Sequence, residues 1–361
     1  MRLWNAITLT FVSGLCLSIT YAGPVGFVQT NLASNQASVV NPPNPDLQNA
    51  WGLASSPTGS PWWLGLNGSG LSELYTGAGV KQALTVTIPG DGSVTGVTFA
   101  NIGGAFNNDT FLFGSEDGTI SGWRNALGTN AEVLQTGLTG NVYKGITVDT
   151  TGGHSYALLA NFRSGAVDVL KGDLGAPDLT GKFLDPNLPA GYAPFNVQRI
   201  GSVIYVTYAL QDAAKEDDVP GVGNGYVNSF DLQGNLIQRV TGTGALNSPW
   251  GIALAPAGFG DFGGDLLVGN FGDGFIHVFT TSGTPLGTLN DPQGNPISID
   301  GLWALQFGNG GNSGPTNKLF FTAGPNGESD GLFGALAQAP EPGTWVLAGV
   351  ALLPFLRRLR R

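Results

Sequence analysis

One unit recurs six times along this chain, and that recurrence constrains the fold more than any other feature. Each copy has a short apolar run, a second apolar run, and then Ser, Asp or Asn followed by Gly before a third run. The first copy has Trp51-Gly52-Leu53-Ala54, residues 62–67 and Ser69-Gly70. The second has residues 95–99, 110–114 and Asp117-Gly118, and the third has residues 144–148, 156–161 and Ser164-Gly165. Then come residues 195–197, 203–208 and Asn224-Gly225 in the fourth, and residues 249–256, 265–270 and Asp273-Gly274 in the fifth. The sixth has residues 303–307, 318–322 and Asp330-Gly331. Successive turn glycines lie 48, 47, 60, 49 and 57 residues apart. Each is preceded by a residue that tolerates the positive φ of a two-residue hairpin.

Self-similarity at this period, with several strands per unit, is the pattern of a β-propeller. Residues 84–88, 133–134, 182–184, 236–240 and 286–289 read as fourth strands of the first five copies. The sixth copy has none, because the chain from Ala335 onward reads as linker. The lone strand at residues 27–32 is expected to fill that place. Pairing the two ends of the body would then close the ring and leave no exposed edge at the seam. The expectation is one all-β domain, a six-bladed β-propeller over residues 26–336.

Composition agrees with many tight turns between short strands. Gly contributes 58 of 361 residues, about twice average usage, and no stretch offers a long amphipathic helix. The net charge is −10, and the Lys and Arg of the body are scattered singly. That distribution provides no nucleic-acid footprint. Cys16 is the only cysteine and lies in the N-terminal apolar segment. The body therefore has no disulfide, zinc knuckle or thiol catalysis.

The two ends read as addresses. Residues 1–22 have the form of a secretory signal peptide, with Arg2, an apolar run over residues 7–19 and the small-residue site Thr20-Tyr21-Ala22. Leu15 before Cys16 argues against a lipoprotein signal. Residues 340–361 have three parts in order: Pro340-Glu341-Pro342, an apolar run over residues 343–356, and Arg357, Arg358, Arg360 and Arg361 around Leu359. The apolar run falls short of the roughly 20 residues that span a bilayer comfortably. Terminal arginines favour the cytoplasmic side. This tail resembles the PEP-CTERM sorting signal. The resemblance implies a transmembrane helix that holds the protein at the membrane transiently, in a Gram-negative bacterium that makes exopolysaccharide. It also implies processing by signal peptidase and by an exosortase. The destination it implies is the cell envelope, outer surface or extracellular matrix, with anchoring and release both open.

The body, in turn, resembles an uncharacterised family often joined to such a tail, through residues 49–54, 211–219 and 223–227. Residues 270–276 are similar to the second half of an NHL-type repeat.

Chemistry is less legible. Asp212, Glu216, Asp217 and Asp218 form the densest charge cluster, and carboxylate oxygens suit calcium. The expectation is that calcium orders this loop; the competing reading is a solvated loop partly neutralised by Lys215. It is no EF-hand, because Asp217 stands where that loop needs Gly. Asn67, Asn161 and Asn270 end the second strand in three copies. Six-bladed lactonases of the gluconolactonase type hold a divalent metal over the channel with Glu, Asn and Asp. That resemblance implies these asparagines as alternative channel ligands, against the favoured reading that they organise turns. His277 alternates with Phe275 and Phe279 as a strand residue, and His154 lies in a turn. No Gly-x-Ser-x-Gly elbow occurs, and Gly258, Gly260 and Gly263 precede a strand, not the helix a phosphate loop requires. Trp51, Trp250 and Trp303 share one repeat position, which favours packing between adjacent blades over stacking on sugars. The balance favours an exported binding or structural module for a polysaccharide or surface protein. The rival is a metal-dependent, lactonase-like hydrolase.

Overall fold

The computed structural model describes residues 26–340. The signal-peptide reading, and the sorting-tail reading apart from Pro340, lie outside the described residues. Strands account for nearly all regular structure, as the wealth of β-branched and aromatic residues bounded by Gly and Asp turns requires. They form six antiparallel sheets. Blade 1 is Ala50–Ala54, Trp62–Leu66, Leu71–Tyr75 and Lys81–Thr87, and blade 2 is Val94–Phe99, Phe111–Ser115, Ile120–Trp123 and Glu132–Gln135. Blade 3 is Tyr143–Thr151, His154–Asn161 and Ala166–Lys171. Blade 4 is Tyr192–Ile200, Val203–Leu210, Tyr226–Phe230 and Leu236–Gly242. Blade 5 is Pro249–Leu254, Leu266–Asn270, Ile276–Phe279 and Pro285–Thr288. Blade 6 is Leu302–Phe307, Leu319–Ala323 and Leu332–Gln338, completed by Phe27–Ser34. The protein is a six-bladed β-propeller. Among the described residues no helix is long and apolar enough to cross a membrane.

Closure follows the expectation from the sequence. Phe27–Ser34 pairs antiparallel with Leu332–Gln338 over seven residue pairs, from Phe27 with Gln338 to Ser34 with Leu332. Residues 335–338 are therefore strand, not linker. Ala335 and Leu336 pair on both sides, with the second strand of blade 6 and with the N-terminal strand, and Ala337 and Gln338 pair with the N-terminal strand.

Two further expectations are corrected. Residues 182–184 form no fourth strand in blade 3. Phe183 adopts φ +52 and buries its ring against Phe230 of blade 4 at 5.6 Å. Its N–H donates to Gly234 O, so the segment is held by the next blade instead of its own. The turns are also longer than two residues. Leu66 pairs with Leu71 and Gly269 with Ile276, leaving loops of four and six residues. Glycine serves two purposes in them. Gly118 and Gly274 take φ +80 and +75, whereas a Cβ on Gly331 would lie 2.2 Å from Leu47 O.

Second strands such as Trp62–Leu66 and Leu266–Asn270 are buried throughout, while fourth strands such as Lys81–Thr87 are mostly exposed or half-buried, with Val86 the one buried residue of that strand. This gradient explains continuous apolar runs near the axis and mixed ones at the rim. The inner strands share one more feature. Each breaks register near its start, between Ala50 and Leu53, Val94 and Val97, Tyr143 and Gly145, Pro194 and Asn196, Pro249 and Gly251, and Leu302 and Leu305. Such bulges re-aim a side chain. Here they carry Trp51, Thr95, Lys144, Phe195, Trp250 and Trp303, all buried.

Candidate binding site at the channel mouth

The bulged residues close the channel. Trp51 stacks on Trp303 at 3.7 Å and 15°, and Trp303 stacks on Phe271 at 4.0 Å and 16°. Trp250 and Phe195 meet Trp303 edge-on at 6.1 and 5.9 Å. Trp250 Nε1 donates to Lys144 O at 3.1 Å, and Trp303 Nε1 donates to Asn49 Oδ1 at 2.9 Å. The contacts of Phe195 with Trp303 and of Trp250 with Lys144 join blades that are not neighbours, so they cross the axis. The expected packing between adjacent blades holds for Trp51 and Trp303, and the same rings also plug the centre. Their burial leaves no face for sugar stacking.

One bulge position carries a charge. Lys144 is 1% exposed, and its ammonium lies 5.2 Å from the Trp51 ring centroid. Nζ donates to Glu116 Oε1 and, at 3.2 Å, to Asp217 Oδ1. Burial pushes the Lys144 pKa down, but the Glu116 and Asp217 charges outweigh it and hold the group protonated. Asn67 Nδ2 donates to the other Glu116 oxygen at 2.9 Å. Asn49 Nδ2 donates to Glu328 Oε2 at 2.7 Å and to Asn67 Oδ1 at 3.3 Å. Burial raises the Glu328 pKa; Asn49 and Lys144 pull it back, and Glu116 and Asp217 add to the rise. The network thus draws on blades 1, 2, 3 and 6 and on the long connection in blade 4. All of it lies where inner strands begin and second strands turn into third.

Beside this network opens a cleft of about 530 Å³, walled by Asp91, Glu116, Asp117, Glu216, Asp217 and Arg163 among others. Five carboxylates face one guanidinium, so the cleft is strongly acidic. Arg163 bonds Glu216 and donates to Thr139 O at 3.1 Å.

The residues singled out from the sequence go to different places. The four acids of the blade 4 loop do not gather around one point. Asp212 Oδ1 accepts the Glu216 N–H at 2.9 Å, Glu216 turns to Arg163, and Asp217 turns to Lys144. Asp218 is held by burial above the usual carboxylate range, and its Oδ2 has no hydrogen-bond partner. Among the described residues no three His, Cys, Asp or Glu side chains are placed to hold a metal ion. Of the asparagines, only Asn67 reaches the network. Asn161 accepts from the Val142 and Ser164 amides and donates to Asn141 and Asp168. Asn270 donates to Ala245 O and Asp273. Those two organise turns. His154 meets Asp173 at 3.1 Å, and His277 meets Thr288 Oγ1 at 3.0 Å, with burial lowering its pKa.

Sequence reasoning passed over Lys144, Glu116, Asn49 and Glu328. A signal for the first two existed: Lys144 aligns with Trp51, Trp250 and Trp303, and Glu116 directly precedes the Asp117-Gly118 turn.

No family model matches the chain. "Uncharacterized protein R648" of Acanthamoeba polyphaga mimivirus is 32% identical over 327 residues, covering 85% of this chain and 79% of the relative. "Uncharacterized protein L690" of the same virus is 30% identical over 330 residues, covering 85% and 84%. Among solved structures, a calcium-binding protein, regucalcin, from Agrobacterium tumefaciens is similar with TM-score 0.48 at 14% identity, covering 82% of this chain and 94% of that one. A gluconolactonase from Xanthomonas campestris is similar with TM-score 0.47 at 15% identity, covering 89% and 99%. At these values the two structural likenesses do not extend to chemistry.

Proposed function

We propose a function for a chain that belongs to the same family as the mimivirus proteins R648 and L690: an exported, non-enzymatic binding propeller that takes its ligand in the acidic cleft at the channel mouth. The observation that carries this reading is the make-up of the cleft, five carboxylates and one guanidinium at the edge of a plugged channel. Carboxylates accept strong hydrogen bonds from ammonium and hydroxyl groups. A cationic or hydroxyl-rich polymer, such as an amino-sugar polysaccharide, matches that surface. Extra length in blade 4 builds one wall, as functional loops do on a rigid scaffold.

Calcium, expected at the blade 4 loop, asks for six to eight oxygens around one centre. Three of the loop's four acids, Glu216, Asp217 and Asp212, are instead committed to Arg163, Lys144 and backbone amides, and the four do not gather around one point, so they do not fit that ion as they stand. Neither histidine lies in the cleft walls, which removes the usual general base from a hydrolytic reading. Export, with signal peptidase and exosortase as processing partners and a transient membrane stop in the tail, rests on the two terminal segments of the sequence.

The test is calorimetric titration with amino-sugar oligomers and with neutral oligomers of equal length, for the wild type and for Asp117→Asn with Glu216→Gln. Binding of the cationic oligomer that weakens in the variant and with added salt is the expected result. Hydrolysis of a panel of lactones that stops with a chelator would replace this reading with the lactonase one. For export, intact mass from the native host should show a start near Gly23 and no Arg361.

A further inference from the structure

A second cavity, of about 430 Å³, opens where the ring is closed, away from the channel. Its walls are the end of the closing strand, the segment from Val40 to Asn44, and the hairpin that joins the third and fourth strands of blade 1. Local geometry holds these parts together. Gly79 takes φ +81, and a Cβ there would lie 2.6 Å from Leu32 O, so glycine is what lets the hairpin come this close to the closing strand. The Asn44 N–H donates to Ser34 O at 2.8 Å, and Pro42 and Pro43 stiffen the chain before it. The space is thus formed before any ligand arrives, at a volume usual for small-molecule sites.

Aliphatic and proline side chains make most of the lining, and Lys81 brings the one formal charge to it. The reason lies beneath. Glu73 and Tyr75 stand on one face of their strand, two residues apart, and Lys81 pairs with Tyr75 across the hairpin. Glu73 is fully buried. One of its oxygens accepts from Lys81, and the other accepts from Tyr75 OH at 2.9 Å and from Asn44 Nδ2 at 2.5 Å. The carboxylate therefore fixes the ammonium in the cavity wall while staying out of the lining itself. Among the described residues, Glu73 is the one acceptor that Lys81 meets. An ammonium has three N–H donors, which leaves two for a ligand.

We propose that this cavity binds a small monocarboxylate with a flat apolar body, such as an arylacetate, its carboxylate bonded to the Lys81 ammonium and its body laid against Pro42 and Pro43. Charge complementarity selects the class. A carboxylate takes charge-assisted hydrogen bonds from the ammonium, and the apolar body gains by leaving water. A cationic ligand would meet Lys81 with like charge, and a sugar would leave hydroxyls unpaired against apolar walls. The sign is opposite to that of the acidic cleft, so the two sites take different ligands and this one stands whatever the cleft binds. Glu73 beside the ammonium opposes the incoming anion and limits its affinity.

The experiment titrates the full chain with phenylacetate and with its uncharged counterpart phenylacetamide, followed by calorimetry. The wild type should bind the carboxylate more tightly than the amide. Glu73→Gln removes the opposing charge and keeps the side chain's shape, and should tighten phenylacetate binding by about tenfold, the effect of one neighbouring charge, without changing phenylacetamide. Lys81→Met combined with Glu73→Gln removes both charges, leaves no buried carboxylate unpaired, and should abolish the preference for the anion. Val40→Asp alters the wall without touching that network and should weaken phenylacetate in particular. Equal binding of the two probes by the wild type, or none of either, would overturn the proposal. So would a folded Glu73→Gln protein with unchanged affinity for phenylacetate, or a preference for the anion that survives in the double variant or in Val40→Asp.

Discussion

Replacing Phe27 by alanine tests how the ring is closed. Phe27 opens the N-terminal strand that completes blade 6, and it is 1% exposed, whereas its neighbour Val28 is 45% exposed. Its ring packs on Phe259 at 4.7 Å and on Phe262 at 6.3 Å, both in the loop between the first two strands of blade 5. Its N–H donates to Asn290 O at 2.8 Å. The side chain therefore pins the closing strand to a second blade, while Val28, Gln29, Thr30 and Asn31 face solvent. Truncating a buried Phe costs about 3–5 kcal/mol, from lost transfer energy and the cavity left behind. Truncating the exposed Val28 should cost within about 0.5 kcal/mol. Urea unfolding followed by tryptophan fluorescence measures both, with an unchanged slope showing that the same surface is exposed. Removing residues 26–34 altogether should go further, uncovering the edge of Leu332–Gln338 and buried Phe333, Ala335 and Leu336. That protein should lose cooperative unfolding and aggregate through the bared edge. Phe27→Ala matching Val28→Ala in stability would show that the strand is not what holds the seam.

Three other outcomes follow from buried groups. Asp109 is fully buried beside Arg124, and burial pushes its pKa up to about 6 from 3.8. Folding therefore takes up a proton between those values; the group's stabilisation is present below pH 3.8 and lost as pH rises through about 6. The shift corresponds to about 3 kcal/mol at most, and Asp109→Asn should flatten a stability profile measured across that window. Glu116→Gln leaves Lys144 with Asp217 as its one bonded carboxylate and should cost about 3–5 kcal/mol by chemical denaturation, as breaking a buried pair does. Gly331→Ala would place a Cβ 2.2 Å from Leu47 O and 2.6 Å from Leu47 Cδ2. It should destabilise by about 2 kcal/mol or more in the same assay, whereas alanine at Gly103, which has open space around it, should not.

Architecture was legible because the forces that set it are local and repeated. Two apolar runs and a Gly-bearing turn recur six times, and each copy buries its second strand in the same way. The seam was legible for a different reason: one copy lacked a strand and one strand lacked a copy. Blade 3 was misread because residues 182–184 have the composition of a strand. Their partner was decided by Phe183, whose ring found Phe230 in the next blade. The turn lengths were misread because Asp-Gly and Ser-Gly pairs mark where the chain reverses and not how many residues it uses.

The site was nearly illegible, and the asparagines show why. Asn67, Asn161 and Asn270 hold one repeat position, yet Asn67 bonds Glu116 while the other two bond turn groups of their own blades. Equal positions in a propeller fix where a backbone goes, and the loops contributed by neighbouring blades decide what each side chain meets. Partners 28 and 73 residues away in sequence, Glu116 and Asp217, determine what Lys144 does. No spacing rule connects them. What the sequence does carry is the exception: a lysine at a bulge where three blades place tryptophan. In a ring built by repetition, a residue that breaks the pattern at the axis has been placed there against the packing preference of its equivalents. The carboxylates that meet it are the reason that a charge can stay buried at that point.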